Sequence, residues 1–202
     1  MKQKKLYKLK KYIYFISFTL ISSTALAQTF DAGVFVGITA SQISGDELAG
    51  FHQPGLNLGA EITTTYKNDW TVGFGIFFNQ KGSRATSNNV GSKAFYILRL
   101  NYLDVPLIIG KTINKWHFGA GPSINVMTSS TEADFFGTNE ILVPFNRFEL
   151  SGLVQVSYQM KKNLAVRLNY GHSITPVRNF AGNSYLNGQF NEWLTTGLLY
   201  ML

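Results

Sequence analysis

Apolar and polar positions alternate with a period of two along most of the chain from residue 30 onward. Val34, Val36 and Ile38 interleave with Phe35, Gly37 and Thr39. Leu56, Leu58, Ala60 and Ile62 interleave with Asn57, Gly59, Glu61 and Thr63. The same beat runs through 70–79, 116–126, 148–158 and 164–171. Period two is the signature of a strand with one face in an apolar medium and the other in a polar one. Strands near 95–110 and 190–202 bring the predicted count to eight. Three connections are short and polar, at 67–69, 111–115 and 160–163, and read as tight turns. Four are long, at about 41–54, 81–94, 127–146 and 173–189. An even number of strands, with short turns at one end and long loops at the other, predicts an all-β fold. It is an eight-stranded antiparallel up-and-down transmembrane β-barrel with its short turns in the periplasm.

A soluble barrel, apolar inside and polar outside, shares this alternation. The polar positions decide between the two. They are mainly Gly, Asn, Ser and Thr, whereas a water-facing surface is about a quarter or more charged. Only 14% of all residues are charged, and most of those charges fall in turns and loops. The aromatics also gather at strand ends on the apolar face. Tyr66, Trp70, Trp116, Tyr158 and Tyr200 fall at the short-turn ends, and Phe78, Tyr96, Phe148, Tyr170 and Phe190 at the long-loop ends. Two such girdles mark the two interfaces of a bilayer.

The formal net charge of +7 misleads about partners. Residues 1–27 hold six lysines and no acid, leaving 12 basic against 11 acidic side chains in the rest of the chain. The six lysines precede an apolar stretch over 12–21 and an Ala25-Leu26-Ala27 ending. That order predicts a secretory signal peptide over 1–27, cleaved before Gln28, with the barrel domain over 28–202. Its apolar core is shorter than the ~20 residues of a membrane-spanning helix. Once it is removed, the electrostatic case for a nucleic-acid partner disappears. The sequence contains no Cys, so disulfides and thiol chemistry are excluded.

Around 95–110 the alternation changes phase. Leu98, Leu100 and Tyr102 share a face with Asp104 and Pro106, while Leu103, Val105, Leu107 and Ile109 take the other. A one-residue bulge between Tyr102 and Val105 would turn both apolar sets outward and accommodate Pro106. The segment Tyr102-Leu103-Asp104-Val105-Pro106-Leu107 resembles the Tyr-Leu-Glu/Asp-Ile/Val-Pro segment of the PorT-like outer-membrane β-barrel family of Bacteroidota. Gln80-Lys81-Gly82 matches the same family's "QKG", and Ser44-Gly45-Asp46 after a Gly-rich first strand fits as well. The resemblance covers 28–202. It implies an eight-stranded barrel of the kind found in small outer-membrane proteins, and an association with protein secretion for the family's namesake.

An eight-stranded barrel has an interior that side chains can fill. Inward positions predict charges at Glu61, Arg99, Arg147, Glu149 and Arg167. Similar heights predict two lumen pairs, Glu61–Arg167 and Arg99–Glu149, since buried charges need partners. Of the three histidines, His52 falls in a loop, His117 at the base of a strand and His172 near the top of another, which offers no metal triad. His172 and Ser173 point to opposite faces, which is unsuited to a catalytic pair. The sequence therefore predicts no catalytic, cofactor or metal residues. It predicts a monomeric barrel in outer-membrane lipid of a Gram-negative bacterium, with a filled lumen and no nucleic-acid partner. Its role would be structural or adhesive, or accessory to secretion, through a protein partner at the outer loops. The alternatives are a small envelope enzyme at the outer rim and a narrow solute pore.

Overall fold

The computed structural model describes residues 30–46, 48, 50–85, 96–134, 137–138, 144–178 and 188–202. The expected signal peptide, residues 1–27, lies outside the described residues. Eight long strands follow in chain order: β1 Phe30–Ser44, β2 Gln53–Thr65, β3 Trp70–Arg84, β4 Tyr96–Ile113, β5 Trp116–Asp134, β6 Phe148–Lys161, β7 Leu164–Ser173 and β8 Phe190–Met201. Each pairs antiparallel with its neighbours in sequence, and β1 pairs with β8, so the sheet closes. Closure satisfies every edge, the condition for a sheet in hydrocarbon. A two-residue strand, Gly137–Thr138, adds to the top of β5.

The barrel is apolar outside and polar inside. Val36, Ile38, Ile76, Ile109 and Ile124 are each more than half exposed on the outer wall, while Thr39, Asn79, Asn125, Ser151 and Thr195 are buried. Tight turns join the strands at one end of the barrel. Asn68, Asp69 and Asn114 adopt positive φ there, a conformation that Asn and Asp tolerate better than most side chains.

The expected bulge on β4 does not occur. β4 stays in register with β3 from Arg84↔Ile97 to Trp70↔Lys111. Leu98, Leu100, Tyr102, Asp104 and Pro106 all point into the lumen, and Leu103 and Leu107 face out. The β3–β4 ladder skips the positions of Val105 and Pro106, where the proline has no N–H to give. The slip falls on β5 instead. Asn101 pairs with Ser129 but Tyr102 pairs with Met127, so Thr128 is the extra residue and β5 changes phase above it. Leu98, Leu100 and Tyr102 need no lipid, because loop side chains meet them inside the outer mouth. The third loop is also shorter than expected. β5 continues through Met127–Asp134, paired with the top of β4.

Candidate functional site

The lumen has three tiers. The outer mouth is closed by an apolar plug. Leu98, Leu100 and Tyr102 from β4 and Ile43 from β1 pack with Phe145 and Val177 from the loop stems. The stems are fastened by polar contacts. Asn146 N–H donates to the Val177 carbonyl at 2.7 Å, and its side-chain amide to the Pro176 carbonyl at 2.8 Å. Arg178 pairs with Glu132 at 2.8 Å and lies 3.8 Å from the Phe145 ring centroid. Glu132 reaches inward because of the phase change on β5, and also accepts a hydrogen bond from Tyr96 at 2.7 Å.

The middle tier is built around Lys81. Its ammonium lies 3.1 Å from Asp104 and 3.4 Å from Glu149, over the rings of Trp193 (3.6 Å to the centroid) and Tyr102 (4.7 Å). Three amides complete the carboxylates' shells. Asn79 donates to Asp104 at 2.9 Å, while Asn125 and Asn191 donate to Glu149 at 2.7 and 2.5 Å. Thr39 in turn donates to Asn79. A charge so far from water is tolerable only with such a complete set of partners. Gly171 makes room for Trp193, since a Cβ there would overlap the indole ring.

The bottom tier is hollow. A cavity of about 420 Å³ extends from Asn79, Asp104 and Trp193 down to Lys115 and Lys162 in the tight turns. Arg167 and Glu61 bridge it with two hydrogen bonds of 2.5 and 2.7 Å, and Arg167 Nε donates to Ser157 at 3.0 Å. His117 Nε2 lies 2.8 Å from the Thr71 hydroxyl. The expectation of a filled lumen therefore fails in the lower half. There small inward residues such as Gly73, Gly75, Thr63 and Ala165 leave space that the larger side chains above do not.

Glu61 and Arg167 lie together as a pair. Arg99 and Glu149 do not. Arg99 is exposed on the outer wall, because β4 keeps its phase and every odd residue there faces out. Glu149 takes Lys81 as its partner instead. Arg147 is exposed just before β6. Of the motif residues, Tyr102, Asp104 and Pro106 face the lumen, Leu103 faces out and Val105 is half-buried. The five short-turn aromatics, Tyr66, Trp70, Trp116, Tyr158 and Tyr200, are all exposed on the outer wall, with the Trp116 and Tyr158 rings 4.8 Å apart. Phe78, Phe148, Tyr170 and Phe190 lie on the outer face at the other end. Tyr96 does not belong to that girdle, since it packs against the apolar plug. His172 stacks on Phe190, 6.3 Å between centroids, while Ser173 is buried and accepts from the Asn191 N–H. Among the described residues, no group of three His, Asp or Glu is placed to hold a metal.

Sequence reasoning missed Lys81 and its partners. The signal was present: the inward set Phe77, Asn79 continues without a break through Lys81 and Ser83. Placing the end of the strand at Asn79 hid it.

A closed eight-stranded barrel with an apolar exterior and a polar interior is a transmembrane β-barrel. The chain belongs to the outer membrane protein beta-barrel domain family, whose model matches residues 26–179. No curated protein matches it significantly. Among solved structures it is similar to Neisserial surface protein A (NspA), with a TM-score of 0.54 and 12% identity over 84% of this chain and 96% of that one. It is also similar to Ail, the attachment invasion locus protein of Yersinia pestis, with a TM-score of 0.50 and 14% identity over 85% and 98% of the two chains.

Proposed function

We propose that this outer-membrane protein is a non-conducting, monomeric barrel that works through its outer loops. Its role is structural or adhesive, or accessory to protein secretion by binding a protein partner at those loops. One observation carries this reading: the outer mouth is closed by Ile43, Leu98, Leu100, Tyr102, Phe145 and Val177, two of which come from the loop stems. A barrel whose own loops seal it is a poor conduit and a rigid platform for what the loops display. The Tyr102–Leu107 and Gln80–Gly82 resemblance to the PorT-like family of Bacteroidota supports the secretion variant, and the word "attachment" in the name of Ail supports the adhesive one.

Folded protein in planar bilayers is expected to show no unitary conductance steps, and a stable open level would overturn the non-conducting reading. A variant with Gly-Ser segments in place of 86–95 and 139–143 is expected to keep the barrel but lose attachment of expressing cells to matrix, or lose secretion of a reporter. Full retention of both would remove these two segments from the function.

A further inference from the structure

The outer wall changes character toward the long-loop end of β3 and β4. Above the girdle, the outward positions run Phe78 opposite Leu103, Gln80 opposite Asn101, Gly82 opposite Arg99 and Arg84 opposite Ile97. The amides are tied into a ladder. The Leu56 N–H donates to Gln80 Oε1 at 3.2 Å, Gln80 Nε2 to Asn101 Oδ1 at 3.1 Å, and Asn101 Nδ2 to Ser129 Oγ at 2.8 Å. That ladder leaves the Ser129 hydroxyl proton to give. Arg84 and Arg99 are both exposed. They are diagonal neighbours on one face, a spacing that long side chains span. Neither guanidinium has a hydrogen bond or ion pair among the described residues. Two like charges side by side repel, and an anion between them turns that repulsion into attraction.

A groove of about 540 Å³ opens on the same wall and ends at this patch. Its lining is mainly apolar, with Ile38, Ala40, Leu56 and Leu168, and Gln80 and Arg99 close one end. Leu168 lies near the middle of β7, so the groove runs from mid-wall to the loop end, the depth of one leaflet. A groove that is apolar along its length and cationic at its head fits a lipid lying along the barrel. We propose that it is a binding site for a phosphate-bearing anionic lipid of the leaflet at the loop end. The chain lies in the groove and the phosphate meets the two arginines. Their forked N–H donors match phosphate oxygens, and Ser129 adds a hydroxyl. A terminal phosphate brings three acceptor oxygens to these three groups, where a carboxylate brings two. A second copy of the chain is a poorer occupant. The carboxylate it would bring on this part of the described wall, Glu192, is already held by Tyr170 and Gln42. This inference is independent of what the loops bind.

Three lipids with identical chains separate the headgroup chemistries: dioleoyl phosphatidic acid, dioleoylglycerol succinate and uncharged dioleoylglycerol. The full chain, folded in detergent micelles, is titrated with each, and retained lipid is counted by native mass spectrometry. One phosphatidic acid is expected to be retained at about tenfold lower concentration than either counterpart, the equivalent of one charge-assisted hydrogen bond. Arg84→Gln with Arg99→Gln should abolish that preference. Ala40→Phe, which fills the groove and keeps both arginines, should weaken retention of phosphatidic acid. Lys67→Gln with Lys111→Gln, exposed at the opposite end, should change neither. The heat-dependent gel shift checks that each variant is folded, and if the double arginine variant is not, Arg99→Gln alone decides. Equal retention of the three lipids, survival of the preference without the arginines, its loss in the lysine variant, or undiminished retention in Ala40→Phe would overturn the proposal. So would displacement of phosphatidic acid by an equal concentration of inorganic phosphate, the mark of a site that takes the ion without the chain.

Discussion

Lys81 shows how a membrane barrel keeps an ion in its middle. Its side chain is fully buried, with two carboxylates and two aromatic rings around it, and those carboxylates take hydrogen bonds from three asparagines. Removing one member leaves the others charged and dry, which is the expensive way to break a buried cluster. Lys81→Met is expected to lower stability by about 3–5 kcal/mol, read from urea unfolding in detergent micelles. Adding Glu149→Gln to Lys81→Met should recover part of that loss. A single variant within about 0.5 kcal/mol of wild type, the range of ordinary surface changes, would show that the cluster does not hold the barrel together. The Glu61–Arg167 bridge is a simpler case, two charges with a bidentate contact across a hollow. Arg167→Leu alone should destabilise more than Arg167→Leu with Glu61→Leu, because the single change strands a carboxylate beside the cavity. Additive costs in the double-mutant cycle would dismiss the pairing.

Each strand carries both solvents on alternate residues, and this makes the elements testable one face at a time. Leu168 is exposed on the outer wall near the middle of β7, and Arg167 beside it is buried in the lumen. Leu168→Arg is expected to cost about 2–4 kcal/mol, the range for Arg at the bilayer midplane. It should also weaken the heat-dependent gel shift of the folded barrel, and an unchanged shift and stability would put Leu168 outside the hydrocarbon. The same alternation explains what could be read before the structure. Strand number, wall polarity and the periplasmic girdle follow from period two, because one residue's face fixes all the others in an unbroken strand. Where a strand contains a bulge or a plug, that rule loses its anchor. Leu98 and Leu100 look lipid-facing from the sequence, since apolar residues in a membrane strand usually are. They instead meet Phe145 and Val177, long-range partners that no local pattern names. Reading them as lipid-facing puts Arg99 in the lumen and hides the true partner of Glu149. Tyr96 looks like a girdle residue for the same reason, although it packs against the plug.

At the scale of the whole molecule, the two ends of the barrel differ. Above Lys81 the lumen is packed with Ile43, Leu98, Leu100 and Tyr102 beneath the loop stems, and below it a cavity of about 420 Å³ leads to the periplasmic turns. Export comes first: the envelope form is expected to begin at Gln28, and an intact mass that retains residues 1–27 would contradict the signal peptide. The asymmetry itself can then be probed from each side, and the absence of native cysteine means that an introduced one is the only thiol. Thr63 lines the cavity near its periplasmic end, whereas Ser83 is buried on the inward face of β3 beside the plug. In intact cells a membrane-impermeant maleimide too large for general porins should label neither Thr63→Cys nor Ser83→Cys. After the reagent is admitted to the periplasm, Thr63→Cys should react while Ser83→Cys stays protected. Unfolding in urea should then expose both, which checks that each thiol is competent. Labelling of Ser83→Cys from outside intact cells would show that the mouth opens. Protection of Thr63→Cys from the periplasmic side would show that the cavity is closed below as well, and that no solute reaches the Glu61–Arg167 bridge from that end.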